Sequence, residues 1–316
     1  MEIENKATRW SEIRAKYTGL ITNLINKYNR LISNILQSRF ARNKLFQIAR
    51  IKASYAVEHQ RLMQQFNYEI SQITIPTTID ASKKALLIGI NYTGTANELR
   101  GCITDVDNIS NILTGFTSIV KLTDTSEIKP TKNNILSEFR KLLENSTAGD
   151  ILLVSFSGHG SQTIDRNGDE MDGKDEFILT LDNDYIIDDE INAYIKAYLK
   201  PNVNLFAIFD SCHSGTMMDL KYTYMDYIEN PTSIDTVGNV IMISGCKDDQ
   251  TSAEEFINNK PQGAMTWSFL NNIKPNISWR QLIVNMQNSL VTSGFTQIPK
   301  LSSGKLIDLD SKFILG

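Results

Sequence analysis

Two hydrophobic periodicities divide the chain. From Leu20 to Ile51 apolar residues recur every three or four positions, at Leu20, Ile21, Leu24, Ile25, Tyr28, Leu31, Ile32, Ile35 and Leu36, then at Phe40, Leu45, Ile48 and Ile51. That spacing lines one face of an α-helix. No Gly or Pro interrupts the stretch between Gly19 and Pro76. Residues 1–75 therefore read as a basic, amphipathic helical extension, folded as a helical hairpin or a short coiled coil. The Pro- and Thr-containing run I-T-I-P-T-T-I-D-A-S-K-K follows, and residues 76–83 read as a linker.

Beyond residue 83 the pattern changes. Short apolar runs at 85–90, 118–122, 151–156, 205–209 and 240–244 are too short for helices and too uniformly apolar for half-exposed strands. They read as strands buried on both faces. Helical patterns lie between them, near 105–113, 131–144 and 189–198, with two more near 264–273 and 279–290 and a last short strand near 297–301. Strands alternating with helices predict an α/β fold, a mostly parallel sheet with helices on both faces.

Two of these strands run into turns that carry chemistry. I-L-L-V-S-F leads into Ser157-Gly158-His159-Gly160, and L-F-A-I-F leads into Asp210-Ser211-Cys212-His213-Ser214-Gly215. Each places one reactive side chain just past the carboxyl end of a strand, the rim where open α/β sheets bind ligands. A cysteine and a histidine brought together there form a nucleophile and its base. Taken alone, Cys212 could be a small buried hydrophobe and His159 a turn residue. The chain has only three histidines, and His213, beside Cys212, would point to the opposite side of an extended chain. His59 belongs to the helical extension, which leaves His159 as the candidate base.

Composition bounds the alternatives. The chain has 316 residues, and its longest apolar runs fall well short of the ~18–20 needed to span a bilayer. No apolar leader follows the N-terminal M-E-I-E-N-K. Three cysteines, Cys102, Cys212 and Cys246, are too few for a disulfide framework. A cytoplasmic, reducing compartment is expected. Residues 1–70 hold 12 Lys/Arg against 5 Asp/Glu, a net +7, so the total of −4 leaves −11 on the rest. The basic extension could meet an acidic partner or mediate self-association. It carries no base-reading motif, so no nucleic-acid partner is expected.

The motifs together resemble the metacaspases, caspase-like cysteine peptidases. The resemblance spans about 83–310. It rests on R-G-C-I-T-D-V (100–106), F-S-G-H-G-S-Q (156–162), D-E-M-D-G-K-D-E (169–176), I-I-D-D-E (186–190), D-S-C-H-S-G (210–215), S-G-C-K-D-D-Q-T-S-A-E (244–254) and P-K-L-S-S-G (299–304). The short stretch after Cys212 resembles the type I arrangement. The resemblance implies a caspase-like peptidase domain over 84–316, with a large-subunit-like region at 84–220 and a small-subunit-like region at 239–316. It implies a cysteine endopeptidase that cuts protein or peptide substrates after Arg or Lys through a dyad of Cys212 and His159. Gly160 and Cys212 would supply the oxyanion amides. Asp105, Asp210, Ser157 and Cys102 would line the pocket for the residue before the cut. Carboxylates at the base of a pocket do select cationic side chains.

The resemblance also implies activation by Ca²⁺ through Asp175, Asp188, Asp189 and Asp219, with Asp172 as a weaker candidate. Carboxylates are hard ligands suited to that ion. Residues 165–176 superficially fit an EF-hand, with Asp165, Asn167, Asp169 and Glu176 at positions 1, 3, 5 and 12, but Glu170 replaces the required glycine. Lys221 is a candidate for self-cleavage. The family often has a Pro-rich or zinc-binding N-terminal segment, where this chain has basic helices. The competing reading is a non-proteolytic caspase-like scaffold that recruits partners through those helices.

Overall fold

The computed structural model describes residues 2–38, 44–71, 81–165, 174–212, 214–224, 228–229, 235–246, 255–257, 260–313 and 315. His213, Asn167, Asp169, Glu170, Asp172 and most of the 76–83 linker lie outside these. The chain forms two compact units, Met1–Thr78 and Ile79–Gly316. No described helix is long and apolar enough to cross a membrane.

The first unit is a pair of helices, α1 (Glu2–Gln37) and α2 (Lys44–Ser71). Tyr17, Ile21, Leu24 and Tyr28 are its buried stripe. Two matching clasps join the helices. Lys16 and Tyr17 both hold Glu69, each at 2.7 Å, and Tyr17 packs edge-on against Phe66. Eleven residues further along α1, Lys27 and Tyr28 both hold Glu58, and Tyr28 packs edge-on against Tyr55. In each clasp the lysine ammonium also lies over the ring of its tyrosine neighbour.

The second unit runs β1 (Lys83–Gly89), α3 (Cys102–Ile112), β2 (Ser118–Thr123), α4 (Lys132–Glu144), β3 (Ile151–Ser157), β4 (Gly160–Ile164), β5 (Lys174–Leu179), β6 (Tyr185–Ile187), α5 (Asp188–Tyr198), β7 (Asn204–Asp210), β8 (Tyr222–Tyr224), β9 (Ile228–Glu229), β10 (Asn239–Cys246), β11 (Glu255–Ile257), β12 (Lys260–Gln262), α6 (Ala264–Asn272), α7 (Trp279–Thr292) and β13 (Ile298–Ser303). The main sheet has the order β2-β1-β3-β7-β10-β13-β8-β9. The first five strands are mutually parallel, and β13, β8 and β9 each pair antiparallel with their neighbours. The stretch after Cys212, read from sequence as a connection, thus supplies two strands to the sheet. Tyr222 and Tyr224 are buried on either side of Thr223, the period of a strand. A separate sheet, β4-β5-β6, stands beside the main one.

Side-chain alternation along the central strands decides where the chemistry faces. Leu152, Val154 and Phe156 of β3 and Leu205, Ala207 and Phe209 of β7 join the core that contains Ile135 and Phe139 of α4 and Ile191 and Ile195 of α5. The intervening residues face the other way. Phe206 packs against Phe269 of α6, Trp279 of α7 and Phe313. Ser157 and Asp210 therefore emerge on the α3/α6 side. The parallel register of β3 and β7 sets Ser157 directly opposite Asp210. His159 and Cys212 each follow two residues later, on adjacent strand ends.

Candidate active site

The cleft at this rim is built around two carboxylates and the N-terminus of α6. Asp105, on α3, is 1 % exposed. Ser157 Oγ donates to its Oδ2 at 2.7 Å, and the Gly263 N–H reaches both its oxygens at 3.0 Å. The Thr266 N–H donates to Asp210 Oδ2 at 2.8 Å. The first amides of a helix favour anions, both through their unused N–H groups and through the helix dipole. A β-carbon on Gly263 would lie 2.1 Å from Asp210 Oδ2 and 2.8 Å from Asp105 Oδ2. Both carboxylates thus converge on one backbone position that only glycine can fill.

Cys102, Asp105, Ser157, Asp210 and Cys212 line a single cleft, completed by Gln262 and Gln297 from the C-terminal region. The structure therefore gathers all four residues expected in the substrate pocket around the cysteine expected as nucleophile. Cys102 and Cys212 are both present as thiols.

The histidine turn meets the cysteine turn through backbone. A β-carbon on Gly160 would stand 2.3 Å from the Cys212 carbonyl oxygen. Any larger residue would push the two turns apart. His159 is held from two sides. Its Nε2 lies 2.9 Å from the Asn97 carbonyl, an acceptor only, so Nε2 donates and, in the neutral ring, Nδ1 is the nitrogen without a proton. Its backbone N–H donates to Tyr92 Oη at 3.0 Å, and that hydroxyl donates to the Leu179 carbonyl at 2.8 Å. The Tyr92 and His159 rings pack with centroids 4.9 Å apart. Burial pushes the Tyr92 phenol above its ordinary pKa, and the His159 N–H pulls it back only in part. The hydroxyl thus remains protonated and can both accept and donate.

The segment after Cys212 is tied down at several points. Ser214 Oγ sits 2.8 Å from the Gly245 carbonyl and 3.0 Å from that of Ser211. Thr216 donates to Glu176, and Asn192 Nδ2 donates to the Met218 carbonyl at 2.8 Å.

Of the acidic residues expected to bind calcium, Asp175 lies on β5, Asp188 and Asp189 begin α5, and Asp219 lies between Cys212 and β8. Asp175, Glu176 and Asp188 are all buried. Asp188 accepts the N–H groups of Glu176 and Asp189 at 2.7 and 2.8 Å. Burial, reinforced by the Glu176 charge, nevertheless drives its carboxyl well above the usual range. Asp219 adopts a left-handed backbone, φ 47°. Carboxylates suit a hard divalent cation in charge and donor type. Among the described residues, however, no three acidic, His or Cys side chains are gathered into a metal-binding group.

Lys221 is half-buried, with its ammonium 3.3 Å from Asp235 and over the Tyr222 ring. The bond after it leads directly into β8, so cutting there requires that strand to leave the sheet.

Sequence reasoning missed Tyr92, Asn97, Gly263, Thr266, Gln262 and Gln297. Tyr92 could have been found, since it stands just past the end of β1 on the same rim. Asn97, Gly263 and Thr266 act through backbone atoms, which leave no side-chain signature.

A parallel α/β sheet with a thiol and an oriented imidazole on adjacent strand ends defines a caspase-like cysteine hydrolase. Residues 83–221 match the family model described as metacaspase, peptidase C14 domain. Metacaspase-1 of Kluyveromyces lactis is 37% identical, over 84% of this chain and 75% of the relative. Metacaspase-1B of Aspergillus terreus is 36% identical, over 74% and 78%, and Metacaspase-1 of Candida albicans is 34% identical, over 80% and 70%. The chain belongs to the metacaspase family and is a cysteine-type endopeptidase. The crystal structure of protein GSU0716 from Geobacter sulfurreducens shares the fold, with a TM-score of 0.56 at 24% identity, covering 73% of this chain and 97% of that one.

Proposed function

We propose that this peptidase cuts after Arg or Lys through a Cys212–His159 dyad, and that calcium activates it. The observation that carries the specificity is the convergence of Asp105 and Asp210 in the cleft that Cys212 lines. Paired carboxylates held by N–H donors favour a cationic side chain over an anionic one.

The chemistry follows from the side chains. His159 Nδ1 takes the Cys212 thiol proton, helped by the Asn97 carbonyl that stabilises the imidazolium at Nε2. The thiolate adds to the substrate carbonyl, and the amides of Gly160 and Cys212 stabilise the oxyanion. Collapse breaks the C–N bond as His159 returns the proton to the leaving amine. Water then attacks the thioester, giving up its proton to His159, and the acid departs as the thiol re-forms.

Asp175, Asp188, Asp189 and Asp219 would hold the ion. Calcium would supply positive charge to the acidic region around the buried Asp188 carboxyl. Thr216 and Asn192 bind the segment after Cys212 to this acidic region, giving a physical route from ion to cleft.

The test is hydrolysis of fluorogenic peptides ending in Arg, Lys or Asp, with calcium and with chelator, for the wild type, Cys212→Ala and His159→Ala. Calcium-dependent cleavage after Arg or Lys, lost in both variants, supports the proposal. Cleavage after Asp refutes the pocket assignment. Equal rates in chelator refute the role of calcium, and no cleavage in any condition points to the scaffold reading.

A further inference from the structure

The parallel strands β2, β1, β3 and β7 end level with one another. Their register sets Thr123 opposite Gly89, Gly89 opposite Ser157, and Ser157 opposite Asp210. Just past these four ends stand Asp124, Tyr92, His159 and Cys212, in that order across the sheet. Asp124 is the outermost, two strands away from the imidazole.

Its carboxylate is not used to close its own turn. There the Thr125 and Ser126 N–H groups donate to Thr123 Oγ1, and Ser126 Oγ donates to the Thr123 carbonyl at 2.9 Å. Asp124 reaches instead to the loop after β1. Oδ1 accepts the Asn91 N–H at 2.7 Å, and Oδ2 accepts the Thr93 N–H at 2.9 Å. One carboxylate thus grips the chain on both sides of Tyr92, whose φ of 50° a bulky aromatic residue does not adopt freely.

The gripped loop carries both groups that orient His159. Tyr92 accepts its backbone N–H and packs against its ring, and the Asn97 carbonyl lies 2.9 Å from Nε2. Between the two, Thr95 Oγ1 donates to the Tyr92 carbonyl at 2.7 Å and accepts the Asn97 N–H at 3.1 Å. Thr93 to Glu98 are all exposed, so hydrogen bonds rather than packing place the Asn97 carbonyl. Its position is referred to Tyr92, and that of Tyr92 to Asp124.

We propose that Asp124 is a positioning residue for the peptidase reaction, fixing the loop through which Tyr92 and Asn97 hold the His159 imidazole for Cys212. The inference rests on the reading of His159 as the base. The pocket carboxylates are held separately, by Ser157, Gly263 and Thr266. Loss of the Asp124 grip therefore acts on the chemical step more than on substrate binding.

The experiment measures cleavage of a fluorogenic Arg peptide in calcium, and Cys212 alkylation against pH read at that thiol by peptide mass mapping. The proteins are the wild type, Asp124→Asn and His159→Ala. Asp124→Asn keeps the shape and replaces one acceptor oxygen with an NH2 group that cannot accept. The expected result is a fall in kcat on the order of 10- to 100-fold, with KM changed less than about threefold. The alkylation midpoint should move toward the ordinary thiol value of about 8.5, in the same direction as in His159→Ala. Unchanged kcat and midpoint, with His159→Ala inactive, overturn the inference alone. A fall in kcat without a midpoint shift, or a loss carried by KM, makes Asp124 a structural residue and overturns it as well. His159→Ala with wild-type activity overturns it together with the dyad. If the wild type does not cleave the peptide, the alkylation midpoints decide by the same criteria. Should Asp124→Asn fail to fold, a backbone ester at Thr93 takes its place under the same outcomes, since it deletes the N–H that Oδ2 accepts and leaves every side chain as it was.

Discussion

Tyr92 grips His159 by two different means, a hydrogen bond from its backbone N–H and a packed ring face. Tyr92 is 2 % exposed and takes a left-handed backbone, φ 50°. A bulky aromatic residue in that region is strained, and such strain collects where a site must be held rigidly. Tyr92→Phe keeps the ring and removes the bridge between His159 and Leu179. With His159 as the proposed base, the variant should lose about tenfold in kcat with little change in KM, because a small misplacement of the imidazole weakens the reaction more than binding. Alkylation of Cys212 against pH checks the cause. Its midpoint should move toward the ordinary thiol value of about 8.5 as the imidazole loses its alignment. An unchanged midpoint with a lower melting temperature would make Tyr92 a purely structural residue.

Gly263 marks the point where the pocket can be closed without touching the nucleophile. A methyl group there must displace the Asp210 carboxylate, which the Thr266 amide holds in place. Gly263→Ala should lower kcat/KM for cationic peptides by on the order of 100-fold. Alkylation of Cys212 by a small reagent should continue at near the wild-type rate. Equal loss of both would show that the turn around Cys212 had collapsed instead.

Asp150 governs acid stability at the opposite end of the sheet. It is 1 % exposed and sits just before β3. Burial alone would raise its pKa, but the N–H groups of Ser82 and Thr147 and the Lys84 ammonium together hold it below the ordinary value. A carboxyl depressed on folding stabilises fully above its unfolded value, near 3.9, and loses that contribution as pH falls through the native value. Asp150→Asn should destabilise the protein by about 1–3 kcal/mol at neutral pH. The difference between the wild type and the variant should shrink as pH drops below about 4. Denaturant unfolding at pH 7 and pH 3.5 measures this, and a pH-independent difference would rule out the charged form as the cause.

Much of this was legible in the sequence, for physical reasons that can be named. A strand buried on both faces must be apolar at nearly every position, so I-L-L-V-S-F and L-F-A-I-F announced themselves. The turns after them carried the thiol and the imidazole, and the parallel register placed these side by side. What stayed hidden acts through backbone or through distant pairing. The Asn97 carbonyl could be any residue's carbonyl. The Gly263 and Thr266 amides matter because α6 begins beneath two aspartates 158 and 56 residues away in sequence. K-Y-T-Y carried the two-residue alternation of a strand but was too short to be read against its neighbours. The acidic stretches pointed to hard-cation chemistry without showing whether the carboxylates meet.

The two clasps of the N-terminal hairpin have a consequence for how that unit can vary. Their spacing of eleven residues on each helix is three turns at about 3.67 residues per turn, close to the natural pitch of a straight helix and not the 3.5 of a left-handed coiled coil. Sliding one helix by a single turn unseats both glutamates and finds each tyrosine no new one. One residue deleted between Tyr17 and Tyr28 swings the second clasp by about 100° off its partner. The hairpin therefore behaves as a ruler with discrete marks. It can lengthen or shorten without losing its fit only in steps close to whole turns, such as seven, eleven or eighteen residues per arm, the eleven-residue step being about 16 Å.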